Sequence, residues 1–396
     1  MITIRSVTIT ALASAVLATT LTGCQFGTAE QDTSPIVIAV DLELSGSAAP
    51  VGKAYQRALD LKVEQLNASG ALGARKIKLK VKDNRSDASE SLRNVDDFSN
   101  DPQVSALIMG GCNECAVGAV RTINEKKLPT VVLAPSSAVA SPVADRRYVF
   151  KLAPNAVDSA AALTSELSRR SIKKAAVLNS EDSYGREGLA ALRSEFAKAD
   201  IRLVSDQGIK ATETDVNQPV SALTDRKPGA LVVWTPPEQA MLAATAAQQA
   251  KFKGALFFDA VAAGDLFLGA SAGPTEQATL IFTQTMVIDD VIATTPAKAA
   301  RRQWFQNYTA RFGGYNGFSS FAADAVQLIA DAELRAGGEP GRTGRDGRDG
   351  LRDVLETSQL DGLSGPIRMT PDNHSGLMPQ ALTTLVARGG RWRLAG

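Results

Sequence analysis

The run Ile36-Val37-Ile38-Ala39-Val40 decides the fold prediction, together with the segment that follows it. A continuous apolar run of this length is typical of a parallel strand that is covered on both faces. Between residues 53 and 69 apolar residues repeat at helical spacing, and Gly70 is well placed to end that helix. Strand and helix together form one βα unit, which is the building block of a parallel sheet.

The alternation of strand and helix continues outward from this unit. Further strands are predicted at residues 77–81, 104–109, 128–133 and 148–152. The strand at 77–81 alternates apolar and polar residues, which indicates a less covered position in the sheet. Asp87 and Glu90 resemble a capping box for a helix that ends at Phe98. This order predicts a parallel sheet with right-handed crossovers.

The pattern restarts after residue 152 and predicts a second lobe of the same design. Its predicted helices are 156–169, 186–198, 216–224 and 238–249, and its predicted strands are 175–179, 202–205, 230–234 and 255–258. A strand at 279–285 leads back toward the first lobe, followed by helices at 296–311 and 319–336 and a last strand at 381–387. We therefore predict an α/β fold with two doubly wound parallel-sheet lobes joined by a hinge. The N-terminal lobe would comprise residues 36–154 plus 287–365, and the C-terminal lobe residues 155–286 plus 366–396.

The N-terminus resembles a bacterial lipoprotein signal. Arg5 precedes an apolar run over residues 7–21, which ends in Leu21-Thr22-Gly23-Cys24. A spanning helix needs roughly 20 apolar residues, so a cleaved signal at residues 1–23 is favoured over an uncleaved signal anchor. Cys24 would then carry the lipid, and residues 24–35 would tether the folded body to the extracytoplasmic face of the cell membrane.

The charge balance excludes a strongly charged partner. The 396 residues include 43 Lys and Arg against 42 Asp and Glu. No large net field would therefore draw the chain onto nucleic acid or an anionic membrane surface. The hydrophobic fraction of 44% is ordinary for a globular protein, and the length allows two separate cores.

Three cysteines occur in the sequence. With Cys24 assigned to the lipid, Cys112 and Cys115 remain in Cys-Asn-Glu-Cys, and export favours a small disulfide loop there. A thioredoxin-like redox motif has the same spacing and is the alternative. A structural zinc site needs about four ligands, and the only histidine, His374, is far away in sequence. We therefore expect no metal and no other cofactor.

Several short runs occur in an order that carries a family resemblance. They are Leu44-Ser45-Gly46 with Gly52, Leu72-Gly73-Ala74-Arg75-Lys76-Ile77, Asp83-Asn84, Leu133-Ala134-Pro135-Ser136-Ser137, Tyr148-Val149-Phe150-Lys151-Leu152-Ala153-Pro154, Tyr184-Gly185 and Asp324-Ala325-Val326. In this order they resemble the periplasmic-binding-protein type I family, in particular the branched-chain amino-acid (Leu/Ile/Val-type) receptors of ATP-driven importers. The resemblance covers nearly all of the chain after residue 35. It implies two lobes, joined by three crossings, that close on a ligand like a hinged clamp.

The resemblance also indicates which loops contact the ligand, because ligands of open α/β sheets bind beyond the carboxyl ends of the strands. The predicted contacts are Ser45, Glu114, Cys115, Ser136, Ser137, Ala138, Tyr184, Pro236 and Asp259. By this resemblance the loop at 135–138 grips the amino and carboxyl groups of the ligand. Tyr184 closes over the ligand, and Asp259 falls within a residue of the acidic group that neutralises its ammonium.

Four of these assignments have structural alternatives. Glu114 would repel a ligand carboxylate if it pointed inward, and it otherwise faces solvent while the cysteines staple the loop. Ser136 or Ser137 could cap a helix instead of binding ligand. Tyr184 could be a partly buried structural ring, and Asp259 could cap the next turn.

The cargo and the partners follow from the same resemblance. Ala138 and Pro236 stand where the family places a threonine and an aromatic residue, so amino acids, amides and small aromatic acids all remain open. The expected partners are this small molecule, an ABC permease, and the membrane through the lipid anchor. We expect a monomer that binds no nucleic acid.

Two other function classes compete with transport. A Ser-His-Asp hydrolase would need His374 beside a serine, but residues 371–375 are interpreted as a surface turn. A ligand sensor of the same fold would signal to a membrane partner rather than deliver cargo. The Gly- and Arg-rich segment 341–350 is interpreted as a mobile surface loop. The sequence therefore favours a binding protein over an enzyme.

Overall fold

The computed structural model describes residues 32–260, 272–336 and 344–395. The predicted signal, Cys24, most of the tether and residues 341–343 of the Gly- and Arg-rich segment lie outside these residues. Within them the chain forms two parallel sheets covered by helices, as predicted. None of the helices in these three ranges is both long and apolar enough to cross a membrane.

The first sheet has five parallel strands in the order β2-β1-β3-β4-β5. They are β1 (Ile36–Leu42), β2 (Ile77–Asp83), β3 (Val104–Met109), β4 (Thr130–Val132) and β5 (Val149–Lys151). The connecting helices are α1 (Ala49–Ser69), α2 (Ala88–Asn100) and α3 (Asn113–Glu125). Every residue of β1 is buried, whereas only Ile77 is buried in β2 at the edge, which explains the alternating pattern of that strand.

The second sheet has the order β14-β13-β10-β9-β8-β6-β7. Its strands are β6 (Lys174–Ser180), β7 (Arg202–Ile209), β8 (Ala230–Trp234), β9 (Ala255–Phe258), β10 (Thr279–Thr283), β13 (Leu382–Arg388) and β14 (Arg391–Leu394). Its helices are α4 (Ala156–Arg169), α5 (Ser183–Lys198), α6 (Asn217–Thr224), α7 (Pro237–Gln249) and α8 (Ala272–Thr275). Strands β6 to β10 are parallel and repeat the order of the first sheet, and β13 and β14 extend it as an antiparallel hairpin.

The remaining elements pack beside the first sheet. They are α9 (Pro296–Phe312), α10 (Ser319–Ala336), α11 (Arg348–Leu355) and the antiparallel pair β11 (Gln359–Asp361) and β12 (Pro366–Arg368). Helix α10 packs along α1 and is buried over most of its length. The buried ion pair between Arg75 and Glu333, with Nη2 3.1 Å from Oε2, ties α10 to the start of β2. The sequence did not predict β11, β12 or β14, which are only three or four residues long.

The start of α2 and the end of α1 lie where the sequence predicted them. The Asp87 side chain accepts a hydrogen bond from the Glu90 amide at 2.8 Å and begins α2. Gly70 ends α1 with φ of 73°, a conformation that favours glycine.

The interpretation of residues 341–350 as a surface loop is wrong for its described part. Arg348 begins α11 and is only 1% exposed. Its guanidinium donates hydrogen bonds to the carbonyls of Ser99, Asp101, Val104 and Lys126. Desolvation lowers the pKa of Arg348 to about 10. A Gly- and Arg-rich pattern resembles a solvated loop because the sequence cannot show that carbonyl groups surround the guanidinium.

The interpretation of His374 as part of a surface turn is also wrong. The side chain is fully buried and its ring stacks on Phe150 at a centroid distance of 4.4 Å. Nδ1 lies 2.9 Å from the Val149 carbonyl oxygen, and Nε2 lies 3.3 Å from Oε1 of Glu356. Desolvation lowers the pKa of this imidazole. Both ring nitrogens therefore contact groups of β5 and the end of α11, and neither contacts a serine of the described residues as a catalytic base would.

Candidate ligand-binding site

A cavity of about 520 Å³ lies where the carboxyl ends of the two sheets face each other. Its wall includes residues that follow β1 and β3 in the first sheet, and β6 and β8 in the second. These neighbouring strands are the points where the strand order reverses, so the loops after them diverge and leave a crevice. The volume is in the range of small-molecule sites.

Six aromatic rings contribute to the apolar part of the cavity wall. They are Tyr55 from α1, Phe318 just before α10, Phe321 from α10, and Tyr184, Trp234 and Phe282 from α5 and the second sheet. Phe282 packs edge-on against Phe318 at 6.0 Å and against Phe321 at 5.8 Å between ring centroids. These contacts cross from β10 to the region before α10, so both sides of the cavity share one aromatic surface.

Tyr184 and Asp259 lie in direct contact at the second lobe. Asp182 caps α5 by accepting a hydrogen bond from the Gly185 amide at 2.9 Å, which fixes Tyr184 in the first turn. The Tyr184 hydroxyl donates to Oδ2 of Asp259, and its ring lies 6.0 Å from that of Trp234. The two side chains are 5% and 2% exposed, respectively. The structure therefore brings together two residues that the sequence proposed separately, and both line the cavity.

Glu43 is an acidic wall residue that the sequence analysis missed. It follows β1 and is fully buried. Its carboxylate accepts hydrogen bonds from the amides of Gly111 at 3.2 Å and Cys112 at 3.0 Å. A Cβ at Gly110 would lie 2.2 Å from this carboxylate, so the close approach needs glycine there. Desolvation raises the pKa of Glu43.

Glu187, also missed from the sequence, connects the two lobes. It lies one helical turn after Tyr184 on α5 and lines the cavity. Its carboxylate accepts a hydrogen bond from the Ser136 hydroxyl at 2.8 Å and from the Ser137 amide at 3.0 Å. Ser136 also accepts from the Ala138 amide at 3.2 Å, so the predicted capping alternative and a contact across the cleft coexist in one side chain.

Glu114 makes a second contact across the cleft. Its Oε1 accepts a hydrogen bond from the Ser183 hydroxyl at 2.7 Å, although much of the side chain is exposed. Cys112 and Cys115 are joined by a disulfide at the start of α3. Glu114 and Cys112 line the cavity, whereas Cys115 is 1% exposed and packs in the core of the first lobe.

Some of the predicted contacts lie outside the cavity wall. Pro236 lines the cavity at the start of α7, whereas Ser45, Cys115, Ser137 and Ala138 do not. Ser45 is exposed and its hydroxyl donates to Asp83 at 2.6 Å, because the loop after β1 folds back on the end of β2.

A buried lysine supports the wall from behind. Lys151 is fully buried at the end of β5. Its ammonium donates hydrogen bonds to the carbonyls of Pro135, Ala153 and Pro154 at 3.0, 3.0 and 3.2 Å. Desolvation lowers the pKa of Lys151 to about 7. The lysine thus fixes the loops that carry Ser136 and lead into α4.

Comparison with known proteins identifies the family of this chain. The sequence matches the family described as periplasmic binding protein over residues 35–390. The chain belongs to the periplasmic-binding-protein type I family. This family and its structural neighbours are ligand-binding and transport proteins, and a comparison with curated proteins finds no match.

Several solved structures share the fold of this periplasmic binding protein at low identity. An extracellular ligand-binding receptor from Rhodopseudomonas palustris HaA2 has 23% identity and a TM-score of 0.83, over 91% of this chain and 99% of that chain. A leucine binding protein from Thermotoga maritima MSB8 has 17% identity and a TM-score of 0.79, over 91% and 98%. An ABC transporter solute binding protein from R. palustris in complex with benzoate has 17% identity and a TM-score of 0.78, over 91% and 96%.

Proposed function

We propose that this protein is the extracytoplasmic solute-binding lipoprotein of an ABC importer, and that it captures a small metabolite, an amino acid or a related compound, between its lobes. The observation that carries the proposal is the cavity between the carboxyl ends of the two sheets. The leucine binding protein and the benzoate-bound ABC transporter solute binding protein among the similar structures support transport as the function. Branched-chain amino-acid specificity is a narrower form of this proposal.

The lobe boundaries and the lipid anchor belong to the same proposal. The sequence predicted that residues 36–154 with 287–365 move against 155–286 with 366–396, and the two separate sheets support a division into two lobes. Because β12 pairs with β11 and His374 stacks on Phe150 of the first sheet, the second lobe would resume only at β13. Cys24 would hold the monomer at the membrane, where it meets the permease. In a bacterial host, replacing Cys24 with serine should abolish labelling by radioactive palmitate and release the chain from the membrane fraction.

A thermal-shift screen of the purified full-length chain against soluble metabolites tests the proposal. A ligand that binds the folded state alone raises the apparent melting temperature by mass action. Ala211 lies in the cavity wall on the loop after β7 and is only partly buried, so Ala211→Trp should fill the cleft without disturbing a core. We expect Ala211→Trp to lose the hits of the unmodified chain and the control Ala211→Ser to keep them. A complete screen without any hit would contradict the proposed function.

A further inference from the structure

We propose that the cargo of the cleft is not an amino acid itself but a related compound that lacks the carboxylate: an organic cation, with an amine or ammonium group on an apolar body. This inference rests on the proposed function, because it concerns the same cavity. It follows from the charges in the wall, from the hydrogen-bond donors that are already occupied, and from the aromatic rings.

The cavity wall is acidic. Among its described residues none is Lys, Arg or His, and six are acidic: Glu43, Glu114, Asp182, Glu187, Glu238 and Asp259. Residues 261–271, which follow Asp259 in the sequence, also contain no basic residue. A ligand anion would therefore meet like charges and no cation on the cavity surface, whereas a ligand cation would meet opposite charges.

Most of these acids accept hydrogen bonds from neutral groups. Glu43 accepts from backbone amides, Glu114 from Ser183, and Asp182 from the Gly185 amide and the Ser180 hydroxyl at 2.6 Å. Within the described parts of the chain, no salt bridge with a Lys or Arg is formed by five of these acids: Glu43, Glu114, Asp182, Glu187 and Glu238. The carboxylates of Glu114, Asp182, Glu187 and Glu238 thus have no neutralising salt bridge among these residues, whereas desolvation raises the pKa of Glu43 and disfavours its charged form.

Lys151 is the cation behind the wall and offsets only part of this charge. Its ammonium is turned toward the carbonyls of Pro135, Ala153 and Pro154, and it is not a wall residue. Desolvation lowers the pKa of Lys151 to about 7, against the opposing attraction of Glu187, so burial disfavours the charged form of this lysine. It cannot replace a positive group in contact with the ligand.

Two donors beside the cavity that would suit a carboxylate are occupied by the chain itself. The Ser136 hydroxyl and the Ser137 amide both donate to Glu187. A ligand carboxylate that bound these donors would have to displace the carboxylate of Glu187. The displaced Glu187 would then remain close to the ligand carboxylate in the same acidic cleft. A ligand without a carboxylate leaves the contact in place, so the arrangement disfavours benzoate-like acids and zwitterions alike.

The aromatic rings of the wall would also contribute to recognition of a cation. Tyr184 and Trp234 stand beside Asp259, and Phe282 and Phe318 form a further surface in the same cavity. An ammonium group is attracted to the faces of such rings, and an apolar body is buried against them. Carboxylate and aromatic groups side by side are therefore complementary to a hydrophobic amine.

Ligands with the same apolar group and different charged groups test the inference. Isothermal calorimetry with the purified full-length chain would compare isoamylamine, leucine and 4-methylpentanoate, which share a 3-methylbutyl group, and benzylamine with benzoate, which share a phenyl ring. We expect each amine to bind at least tenfold more tightly than the acid of its skeleton, with an affinity that falls as salt is added. An acid or zwitterion that binds as tightly as its amine, or amines that fail to bind, would overturn the inference.

Two charge-neutralising variants locate the recognition. Asp259→Asn keeps an acceptor for the Tyr184 hydroxyl and should weaken benzylamine binding at least tenfold. Glu114→Gln should weaken it severalfold, while Glu125→Gln, at the exposed end of the same helix, should not. Thermal unfolding checks that each variant folds, and unchanged amine affinity in both Asp259→Asn and Glu114→Gln would refute the inference. Acid binding that Ala211→Trp abolishes would refute the cation inference alone, whereas the absence of any small-molecule binding would contradict the proposed function as well.

Discussion

Replacing Glu187 with alanine should shift the ligand-free protein toward an open cleft. Glu187 belongs to α5 of the second lobe, and its carboxylate accepts hydrogen bonds from Ser136 and Ser137 of the first lobe. Because the two donors and the acceptor lie on opposite sides of the cleft, these bonds exist only while the lobes are together. The substitution removes them without touching the core of either lobe, since Glu187 is only partly buried.

The size of the effect follows from the two donors. A hydrogen bond to a charged group contributes about 1.5–3 kcal/mol when it is protected from water. Solvent reaches Glu187, so we take about 2 kcal/mol for both bonds together. Since every 1.4 kcal/mol is a factor of ten, the ratio of closed to open molecules should fall by about 30-fold.

Small-angle scattering of the ligand-free chain measures this ratio through the radius of gyration. We expect a larger radius for Glu187→Ala than for the unmodified protein. Glu195→Ala is the matched control, because Glu195 lies on the same helix and pairs with Lys198, away from the cleft. If Glu187→Ala and Glu195→Ala give the same scattering curve as the unmodified chain, the carboxylate does not hold the lobes together and the reasoning fails.

Three further predictions concern the cavity wall and the buried histidine. Tyr184→Ala should weaken the binding of any cleft ligand by more than tenfold, or about 1.4 kcal/mol, and an unaltered calorimetric affinity would remove Tyr184 from the site. Gly188→Ala should lower the free energy of unfolding by about 1–3 kcal/mol in denaturant titrations, because a Cβ there would lie 2.3 Å from the ring of Trp234. Gly118→Ala, in an open helical position, should instead raise it by about 0.5–1 kcal/mol, and equal changes would refute the packing argument. His374 should titrate in NMR spectra below its ordinary pKa of about 6.5, so that stability falls as the pH drops from that value toward the lowered pKa, and a midpoint at or above 6.5 would contradict its burial.

The order of the strands and helices could be predicted from the sequence, because a strand that is buried on both faces has a continuous apolar run. Strand β3 and helices α4 and α10 were predicted with their observed bounds. The helices at α1 and α5 begin earlier than predicted, since their first turns carry wall residues such as Val51 and Tyr184 rather than a periodic apolar face. The hairpin β11–β12 was not predicted, because a strand of three residues is too short to show an alternation of apolar and polar residues.

The site was only partly predictable, since its polar contacts join residues that are distant in sequence. Tyr184 and Asp259 could be proposed because each follows a recognisable strand. Glu43 gave a local signal, an acidic residue at the end of an apolar strand, which was overlooked. Glu187 gave almost none, because an acidic residue on an amphipathic helix is ordinarily solvated, and only the approach of Ser136 across the cleft gives it a role.

The fold alone does not decide the cargo of this periplasmic binding protein. The similar structures include a leucine binding protein and a benzoate-bound protein at 17% identity each, so one architecture accommodates chemically different ligands. Here the strand order creates the crevice, the loops after β1, β3, β6 and β9 supply carboxylates, and Glu187 of α5 occupies two donors that would suit an anion. The proposal of a cationic cargo rests on these three features together, because each alone would still admit a neutral or zwitterionic ligand.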